Sequence, residues 1–179
     1  MVAIVGSRRP ADAALRLAGE MASAAAGGGA LVVSGLALGV DAAAHAGALE
    51  AGPTLAVLGS GPDVAYPRTN RALYDRIVER GLVVSEYPPG TPPAPWRFPA
   101  RNRIIAALAD VVLVVEARAR SGALITADHA LDLGRDVLAV PGWPGFSGAA
   151  GTNGLLKAGA GLVEGPSDLI AWLGIDPPP

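Results

Sequence analysis

Short apolar runs alternate with longer segments of helical periodicity along most of the chain. The runs consist mostly of Val, Leu, Ile and Ala and lack the polar alternation of a strand that faces water on one side. Such runs are typical of strands buried on both faces of a parallel sheet. We predict strands at residues 2–5, 31–33, 55–58, 82–84, 111–115 and 137–140, and helices at residues 11–26, 41–50, 70–80, 101–108, 121–133 and 166–173.

This alternation predicts a doubly wound, mainly parallel, Rossmann-like α/β sheet with helices on both faces. Residues 1–174 are expected to form a single core domain. The sequence becomes rich in Gly and Pro beyond Pro141, before the last predicted helix. Residues 175–179 are expected to be a proline-rich terminus or the start of a linker.

Composition excludes several classes of protein. With 179 residues and 51% hydrophobic content, the chain can bury a core, so disorder is excluded. No apolar run reaches the roughly 18 residues that span a bilayer, and no basic segment followed by an apolar one opens the chain. We therefore expect a soluble, cytoplasmic protein without a membrane partner. The absence of cysteine excludes disulfides, thiolate nucleophiles and sulfur-ligated zinc.

Arginines are concentrated where ligands bind in this type of sheet. The net charge is −2, so an interaction with nucleic acid must come from local arrangement rather than overall attraction. In a doubly wound sheet, ligands bind outside the carboxyl ends of the strands. Loops that follow predicted strands contain most of the arginines, namely Arg8, Arg9, Arg68, Arg97, Arg101, Arg103, Arg118 and Arg120.

The segment 96–105, WRFPARNRII, combines three of these arginines with two aromatic residues at a predicted loop-to-helix junction. Such a junction directs backbone N–H groups outward, which favours an anion. Guanidinium groups beside the rings of Trp96 and Phe98 suit phosphates and stackable bases. A helix start with solvated arginines is the alternative interpretation.

The first loop lacks the glycine pattern of dinucleotide-binding proteins. A dinucleotide-binding loop carries G-x-G-x-x-G, and here Gly6 is followed by Arg8 and Ala11 at the other glycine positions. No P-loop is present either. In the second loop Asp41 is predicted to cap the following helix, and His45 either pairs with Asp41 or is a structural residue.

The sequence contains no constellation that defines a reaction. Glu86 and Glu116 are the plausible catalytic acids, although an ion pair with a nearby arginine explains them equally well. His129 and Asp128 lack further ligands at useful spacing, so we predict no metal site, no cofactor and no catalytic residue.

Nine short blocks, in order along nearly the whole chain, resemble the core of the DNA-processing protein A (DprA/Smf) family. The blocks are GSR at 6–8, SGLALGVDAAAH at 34–45, AVLG at 56–59, YPR at 66–68, SEYP at 85–88, FPARNRII at 98–105, VVEA at 114–117, SGALIT at 121–126 and VPG at 140–142. The resemblance implies single-stranded DNA binding during natural transformation, a homodimer and loading of RecA onto the strand.

The resemblance also implies that Ser7, Arg8, the loop 34–41, Phe98, Arg101 and Asn102 contact DNA. Many relatives carry a basic residue where Leu38 stands, so one phosphate contact is expected to be missing. With the candidates from loop position added, the predicted DNA site consists of Gly6, Ser7, Arg8, Ser34, Gly35, Leu38, Gly39, Asp41, Arg97, Phe98, Arg101, Asn102, Arg103, Ser121 and Gly122.

Two alternative functions remain at this point. The first is a nucleotide-processing enzyme that resembles the lysine-decarboxylase-like phosphoribohydrolases, which share a related fold. Their Pro-Gly-Gly-x-Gly-Thr loop is absent, and Ser121-Gly122-Ala123-Leu124 stands in roughly that place. The second is an oligomerisation module that needs further domains for its DNA contacts.

Overall fold

A parallel sheet of seven strands runs through the computed structural model, which describes residues 1–177. The strands are β1 (Val2–Val5), β2 (Val32–Ser34), β3 (Thr54–Leu58), β4 (Leu82–Ser85), β5 (Val111–Val114), β6 (Asp136–Ala139) and β7 (Gly161–Leu162). Their spatial order is β4-β3-β2-β1-β5-β6-β7, and every neighbouring pair is parallel. The chain therefore builds one half of the sheet outward from β1 and then returns to build the other half from β5.

Residues 1–177 contain seven α-helices, of which the first six connect successive strands and the last follows β7. They are α1 (Asp12–Gly27), α2 (Val40–Ala51), α3 (Arg71–Arg80), α4 (Arg97–Leu108), α5 (Gly122–Asp132), α6 (Ala150–Lys157) and α7 (Pro166–Leu173). Short 3-10 helices at Arg68–Asn70 and Ser147–Ala149 precede α3 and α6.

The helices cover both faces of the sheet. Because successive strand residues point to opposite faces, Val2 and Ile4 of β1 pack in a core with α1, α2 and α7. Ala3 and Val5 of the same strand pack in a second core with α4 and α5. All four residues are at most 3% exposed, which explains why the β1 sequence is continuously apolar.

The predicted fold class is confirmed, and most predicted boundaries lie within one or two residues of the observed ones. The predicted start of α4 at residue 101 is wrong, because the helix begins at Arg97 and includes Pro99 in its first turn. Proline is tolerated there, since the N–H groups of the first turn have no partner within the helix.

The sequence analysis also missed α6 and β7. Helix α6 contains Gly151 and Gly154, which lower helix propensity, and β7 has only two residues. Both are held by contacts from elsewhere in the chain. Gly151 N–H donates to Ala117 O at 2.7 Å, and β7 pairs with β6. Tertiary contacts of this kind leave no periodic signal in the local sequence.

The start of the predicted proline-rich tail packs on the domain. Ile175 N–H donates to Ile170 O at 3.3 Å, and the Ile175 side chain lies beside Gly28 at the end of α1. Residues 178–179 of that predicted tail lie outside the described residues. Within residues 1–177, none of the helices has the length and apolar character needed to cross a bilayer.

Candidate nucleic-acid interface

A cleft of about 700 Å³ opens at the carboxyl edge of the sheet, where β1 and β5 lie side by side. The strand order reverses between these two strands, so the loops that follow them diverge and leave a crevice. The cleft is lined by Val5, Gly6, Ser7, Arg8, Arg9, Ala37, Asp41, Tyr66, Pro95, Phe98, Pro99, Arg101, Asn102, Ile105, Arg118, Arg120, Ser121, Gly122, Ala123 and Thr126.

Five arginines converge on this cleft against a single carboxylate, that of Asp41. Arg8 and Arg9 come from the loop after β1, and Arg118 and Arg120 come from the loop after β5. These four side chains are exposed, and none forms an ion pair within residues 1–177. The cleft is therefore strongly cationic although the whole chain has a net charge of −2.

Arg101 is the fifth arginine, and it is 3% exposed at the base of the cleft. Its Nη1 donates to Gly35 O at 2.7 Å and to Val57 O, so it ties α4 to the ends of β2 and β3. The guanidinium occupies the space that a side chain at position 35 would need. Burial lowers the pKa of Arg101 to about 10, and the nearby Asp41 opposes that shift.

Asp41 lies in the first turn of α2 and is 6% exposed. Its Oδ2 accepts hydrogen bonds from Gly35 N at 3.2 Å and from Ala37 N at 3.4 Å. The predicted role of Asp41 as a helix cap is wrong, because the cap position is Gly39 and the carboxylate instead holds the loop before the helix. Burial raises the pKa of Asp41, while Arg101 and the two backbone N–H groups lower it.

An aromatic pair forms part of the cleft wall. The rings of Tyr66 and Phe98 are stacked with centroids 5.3 Å apart and planes inclined by 25°. The Arg8 guanidinium lies 5.6 Å from the centroid of the Phe98 ring. Tyr66 is 42% exposed, so a planar group entering the cleft can reach an aromatic face beside a cation.

Backbone contacts hold the loop after β1 between its neighbours. Ser7 N–H donates to Glu116 O at 2.7 Å, and Ser7 O accepts from Val40 N at 3.1 Å. Ser7 Oγ accepts from Arg9 N at 3.1 Å. Gly39 adopts φ +78° and passes against Ser7 O, an approach that a Cβ atom would block. These contacts fix the direction in which Arg8 and Arg9 leave the sheet.

The opposite side of the cleft is formed by α4 and the start of α5. Asn102 Nδ2 donates to Gly122 O at 3.1 Å, which joins the two helices. Ser121 caps α5, since its Oγ accepts from Ala123 N at 3.3 Å. The expected helix start at Ser121-Gly122 is confirmed, and it faces the cleft.

The cleft brings together nine of the predicted site residues, namely Gly6, Ser7, Arg8, Asp41, Phe98, Arg101, Asn102, Ser121 and Gly122. The other six, namely Ser34, Gly35, Leu38, Gly39, Arg97 and Arg103, do not line it. Gly35 and Gly39 contact residues that do. Ser34 is fully buried, and its Oγ donates to Ile4 O at 2.6 Å. Leu38 is 43% exposed outside the cleft.

Two arginines of segment 96–105 are engaged elsewhere. Arg97 donates to Pro92 O at 2.6 Å, and its guanidinium lies 4.6 Å from the Tyr87 ring centroid and 5.0 Å from that of Trp96. Arg103 forms an ion pair with Glu86. The helical period places Arg103 on the opposite side of α4 from Arg101. Arg97 lies one turn before Arg101, and its contacts with Pro92 and Tyr87 hold its guanidinium away from the cleft.

Sequence reasoning left several cleft residues out of the predicted site. Arg9, Arg118 and Arg120 had been placed at the correct edge but were not selected. These arginines follow β1 and β5, the two strands between which the strand order reverses. Knowledge of the strand order would therefore have identified them as cleft residues. Tyr66 and Thr126 were missed as well, although both lie in blocks that carry the family resemblance.

His45 and Glu116 lie outside the cleft and have structural partners. Nε2 of His45 accepts from Leu36 N at 3.3 Å, and its Nδ1 contacts Thr54 Oγ1 at 2.8 Å. Burial lowers the pKa of His45 to about 3, so the ring is neutral. Glu116 accepts from Ala11 N at 3.0 Å. Among residues 1–177, His and acidic side chains form no group of three or more that could hold a metal ion.

The family model of DNA recombination-mediator protein A matches residues 1–174. The chain belongs to this family. Within it, Protein Smf of Synechocystis is 46% identical over 177 residues, which are 98% of this chain and 44% of that protein. The chain thus spans less than half the length of that relative.

Two solved structures of DNA processing protein A share the fold. The protein from Streptococcus pneumoniae superposes with a TM-score of 0.88 and 43% identity, over 95% of this chain and 60% of that one. The protein from Helicobacter pylori superposes with a TM-score of 0.89 and 34% identity, over 96% and 79%. The Helicobacter structure is described as showing a single-stranded DNA binding mode. The predicted resemblance to the family is therefore confirmed.

Proposed function

We propose that the chain binds single-stranded DNA in the cleft between the β1 and β5 loops. One observation carries this proposal: Arg8, Arg9, Arg118 and Arg120 line the same cleft as the stacked rings of Tyr66 and Phe98, and none of the four has an acidic partner among residues 1–177. Phosphates would contact the exposed guanidinium groups, and one or two unstacked bases would contact the rings. The single-stranded DNA binding described for the Helicobacter pylori relative supports the same assignment.

The cleft favours a single strand over a duplex. In a duplex the base faces are stacked and only the phosphates and base edges are accessible. A single strand can place a base against an aromatic face while its neighbouring phosphates remain on the arginines. Gly6, Ser7, Asn102, Ser121 and Gly122 are proposed as further DNA contacts, since they line the same cleft.

The proposed role is binding rather than catalysis. Asp41 is the carboxylate of the cleft, and its Oδ2 is already engaged by two backbone N–H groups. His45 is fully buried, and both of its ring nitrogens have partners. These contacts do not favour the alternative of a nucleotide-processing enzyme, which would need a free acid or base beside its substrate.

The wider function is proposed from family membership. Residues 1–174 would act as one core domain of a DNA-processing protein in natural transformation and recombination. It would bind single-stranded DNA as a homodimer in the cytoplasm and help to load RecA onto the strand. The family match over these residues supports this placement.

A salt titration tests the DNA-binding proposal. Affinities for a fluorescent single-stranded oligonucleotide and for a duplex of equal length are measured between 50 and 300 mM salt. We expect at least about tenfold tighter binding to the single strand at every salt concentration, with affinity for both falling as salt rises. Arg8→Ala should weaken single-strand binding and make its logarithmic salt slope shallower by about one unit.

Arg76→Ala is the matched control for Arg8→Ala. Arg76 is an exposed arginine of α3 that does not line the cleft, so its removal should leave the affinity within about twofold. Equal affinity for the single strand and the duplex would contradict the proposal. Equal effects of the two arginine substitutions would contradict the cleft as the binding site.

A further inference from the structure

The base of the cleft contains an acceptor and a donor that the protein leaves unused. Both hydrogen bonds to Asp41 end on Oδ2, and Oδ1 accepts none within residues 1–177. Arg101 Nη2 donates no hydrogen bond within residues 1–177, because both hydrogen bonds of that guanidinium use Nη1. Neither Asp41 Oδ1 nor Arg101 Nη2 is fully sealed from solvent. Both atoms therefore keep some exposure to the cleft that their residues line.

A buried carboxylate needs a hydrogen-bond donor in an otherwise cationic site. Asp41 is 6% exposed, and Oδ2 has two backbone partners with Arg101 nearby. Oδ1 has no donor within residues 1–177, so a donor that enters the cleft would satisfy it. A DNA phosphate cannot serve as that partner, since it has acceptors only and would be repelled by a carboxylate. The donors that a DNA strand offers are the N–H groups of its bases.

The cleft that contains Asp41 offers an aromatic face to the flat body of a base. The stacked rings of Tyr66 and Phe98 line this cleft, whereas its aliphatic residues Val5 and Ile105 are at most 3% exposed. The arginines of the loops after β1 and β5 line the same cleft, are exposed and are available to phosphates. A nucleotide can therefore enter with its base inward and its phosphate outward.

We propose that Asp41 Oδ1 accepts a hydrogen bond from the exocyclic amino group of one inserted base, so that the cleft selects adenine, cytosine or guanine over thymine. This inference rests on the proposed single-stranded DNA binding. It adds a base-reading contact to a surface that would otherwise contact only phosphates and ring faces.

Thymine fits this acceptor poorly for a chemical reason. Adenine, cytosine and guanine each carry an amino group that projects from the ring. The single N–H of thymine is recessed between two carbonyl oxygens, and both oxygens would face the carboxylate. Thymine insertion therefore leaves Asp41 without a good partner, which weakens binding.

The experiment compares short strands that differ at one position. Hexanucleotides of dT carry, at a central position, dT, dA, dC or 2′-deoxynebularine, which is 2′-deoxyadenosine without the amino group. Affinities are measured by fluorescence anisotropy with the wild-type chain at pH 8, because burial raises the pKa of Asp41 and a higher pH favours its carboxylate form. The dA and dC strands should bind about three- to tenfold more tightly than the dT strand, and nebularine should abolish the dA advantage.

Asp41→Asn should reverse the preference. The asparagine Oδ1 can still accept from Gly35 N and Ala37 N, while its Nδ2 presents a donor to the cleft and favours a thymine oxygen. Arg118→Ala is the matched control, since loss of a phosphate contact should weaken binding to all four strands equally.

The outcomes separate this inference from the proposed function. Equal wild-type affinities for all four strands would overturn base selection by Asp41 while leaving single-stranded DNA binding intact. Absence of binding to any strand would overturn both. If Asp41→Asn fails to fold, as judged by circular dichroism, the wild-type comparison of dA with nebularine still decides the question.

Discussion

Arg101 shows how one side chain joins loops that are distant in sequence. Its Nη1 contacts carbonyls at the ends of β2 and β3, and its charge lies near Asp41. Together Arg101 and Asp41 hold the second loop against α4 and the end of β3. The residue type and its place at the sheet edge are evident from the sequence. Its burial is not, because that depends on Gly35 leaving space for the guanidinium.

His45 secures the same loop from beneath. Its Nε2 accepts from Leu36 N–H, so Nδ1 carries the proton and donates to Thr54 Oγ1, which in turn donates to Val32 O at 2.8 Å. Leu36 has a positive φ of 57°, an unusual conformation for a bulky residue. The histidine stabilises this conformation only while its ring is neutral.

Acidification should therefore destabilise the fold through His45. Its pKa is about 3 when folded, against 6.5 for an ordinary histidine, so below pH 6.5 the unfolded chain binds a proton that the folded chain does not. Between pH 7 and pH 5 this group alone should lower the free energy of unfolding by about 2 kcal/mol. Urea denaturation at the two pH values measures the loss.

His45→Gln is the comparison variant, since glutamine does not titrate in this range. It should be less stable than wild type at pH 7 and should lose about 2 kcal/mol less on going to pH 5. Asp41 titrates in the opposite direction because its pKa is raised, but it is present in both proteins and cancels in the comparison. Identical losses in the two proteins would show that His45 is not the titrating group.

Among the secondary-structure elements, local sequence patterns predict the strands and the longer helices. They do not predict the tertiary contacts that fix helix ends and loops. Continuous apolar runs placed β1 to β6 within one or two residues. The start of α4 depends on how Pro99 fits a first turn, and α6 depends on a bond to Ala117. The contact between the first two loops depends on Gly39. The role of this glycine becomes evident only in the folded backbone, where it passes against Ser7 O.

Gly39→Ala should destabilise the protein and weaken DNA binding together. A Cβ at this position meets Ser7 O as well as adopting a positive φ, so the loop that carries Arg8 and Arg9 must move. We expect a loss of about 2–4 kcal/mol in the free energy of unfolding, by denaturant titration. Single-strand affinity measured on the folded fraction should fall several-fold.

Gly90→Ala separates the cost of the positive φ from the cost of the steric contact with Ser7. Gly90 has the same φ of +78°, and a Cβ there meets no atom within 4 Å. Its substitution should cost only about 1 kcal/mol, the price of the backbone conformation, with DNA affinity unchanged. Equal costs at the two glycines would mean that the approach to Ser7 contributes nothing.

For the molecule as a whole, strand order decides which charges act together. The sequence places eight arginines at one edge of the sheet, but it does not show that β1 and β5 are neighbours. For that reason the predicted site does not include Arg118 and Arg120. The cleft is a product of topology, and local patterns contain no information on the order in which parallel strands pair.

Charge placement, rather than net charge, should control DNA binding. Arg118→Glu with Arg120→Glu should reduce single-strand affinity by at least about a hundredfold at 100 mM salt, because two phosphate contacts become repulsive. Arg16→Glu with Arg76→Glu changes the net charge equally at exposed positions that do not line the cleft. This second pair should reduce affinity less than about threefold, measured by the same anisotropy titration. Similar losses for both pairs would indicate a diffuse electrostatic attraction.

The pairing of β1 with β5 also governs when the site comes into existence. A ribosome delivers Val2 long before Val111, its partner in the sheet, and β2 is available to β1 throughout the interval. The half of the sheet formed by β1 to β4 therefore leaves the ribosome before α4 and α5, which cover one of its faces and form the opposite wall of the cleft. The cleft is complete only after the segment through Thr126 has left the exit tunnel and docked.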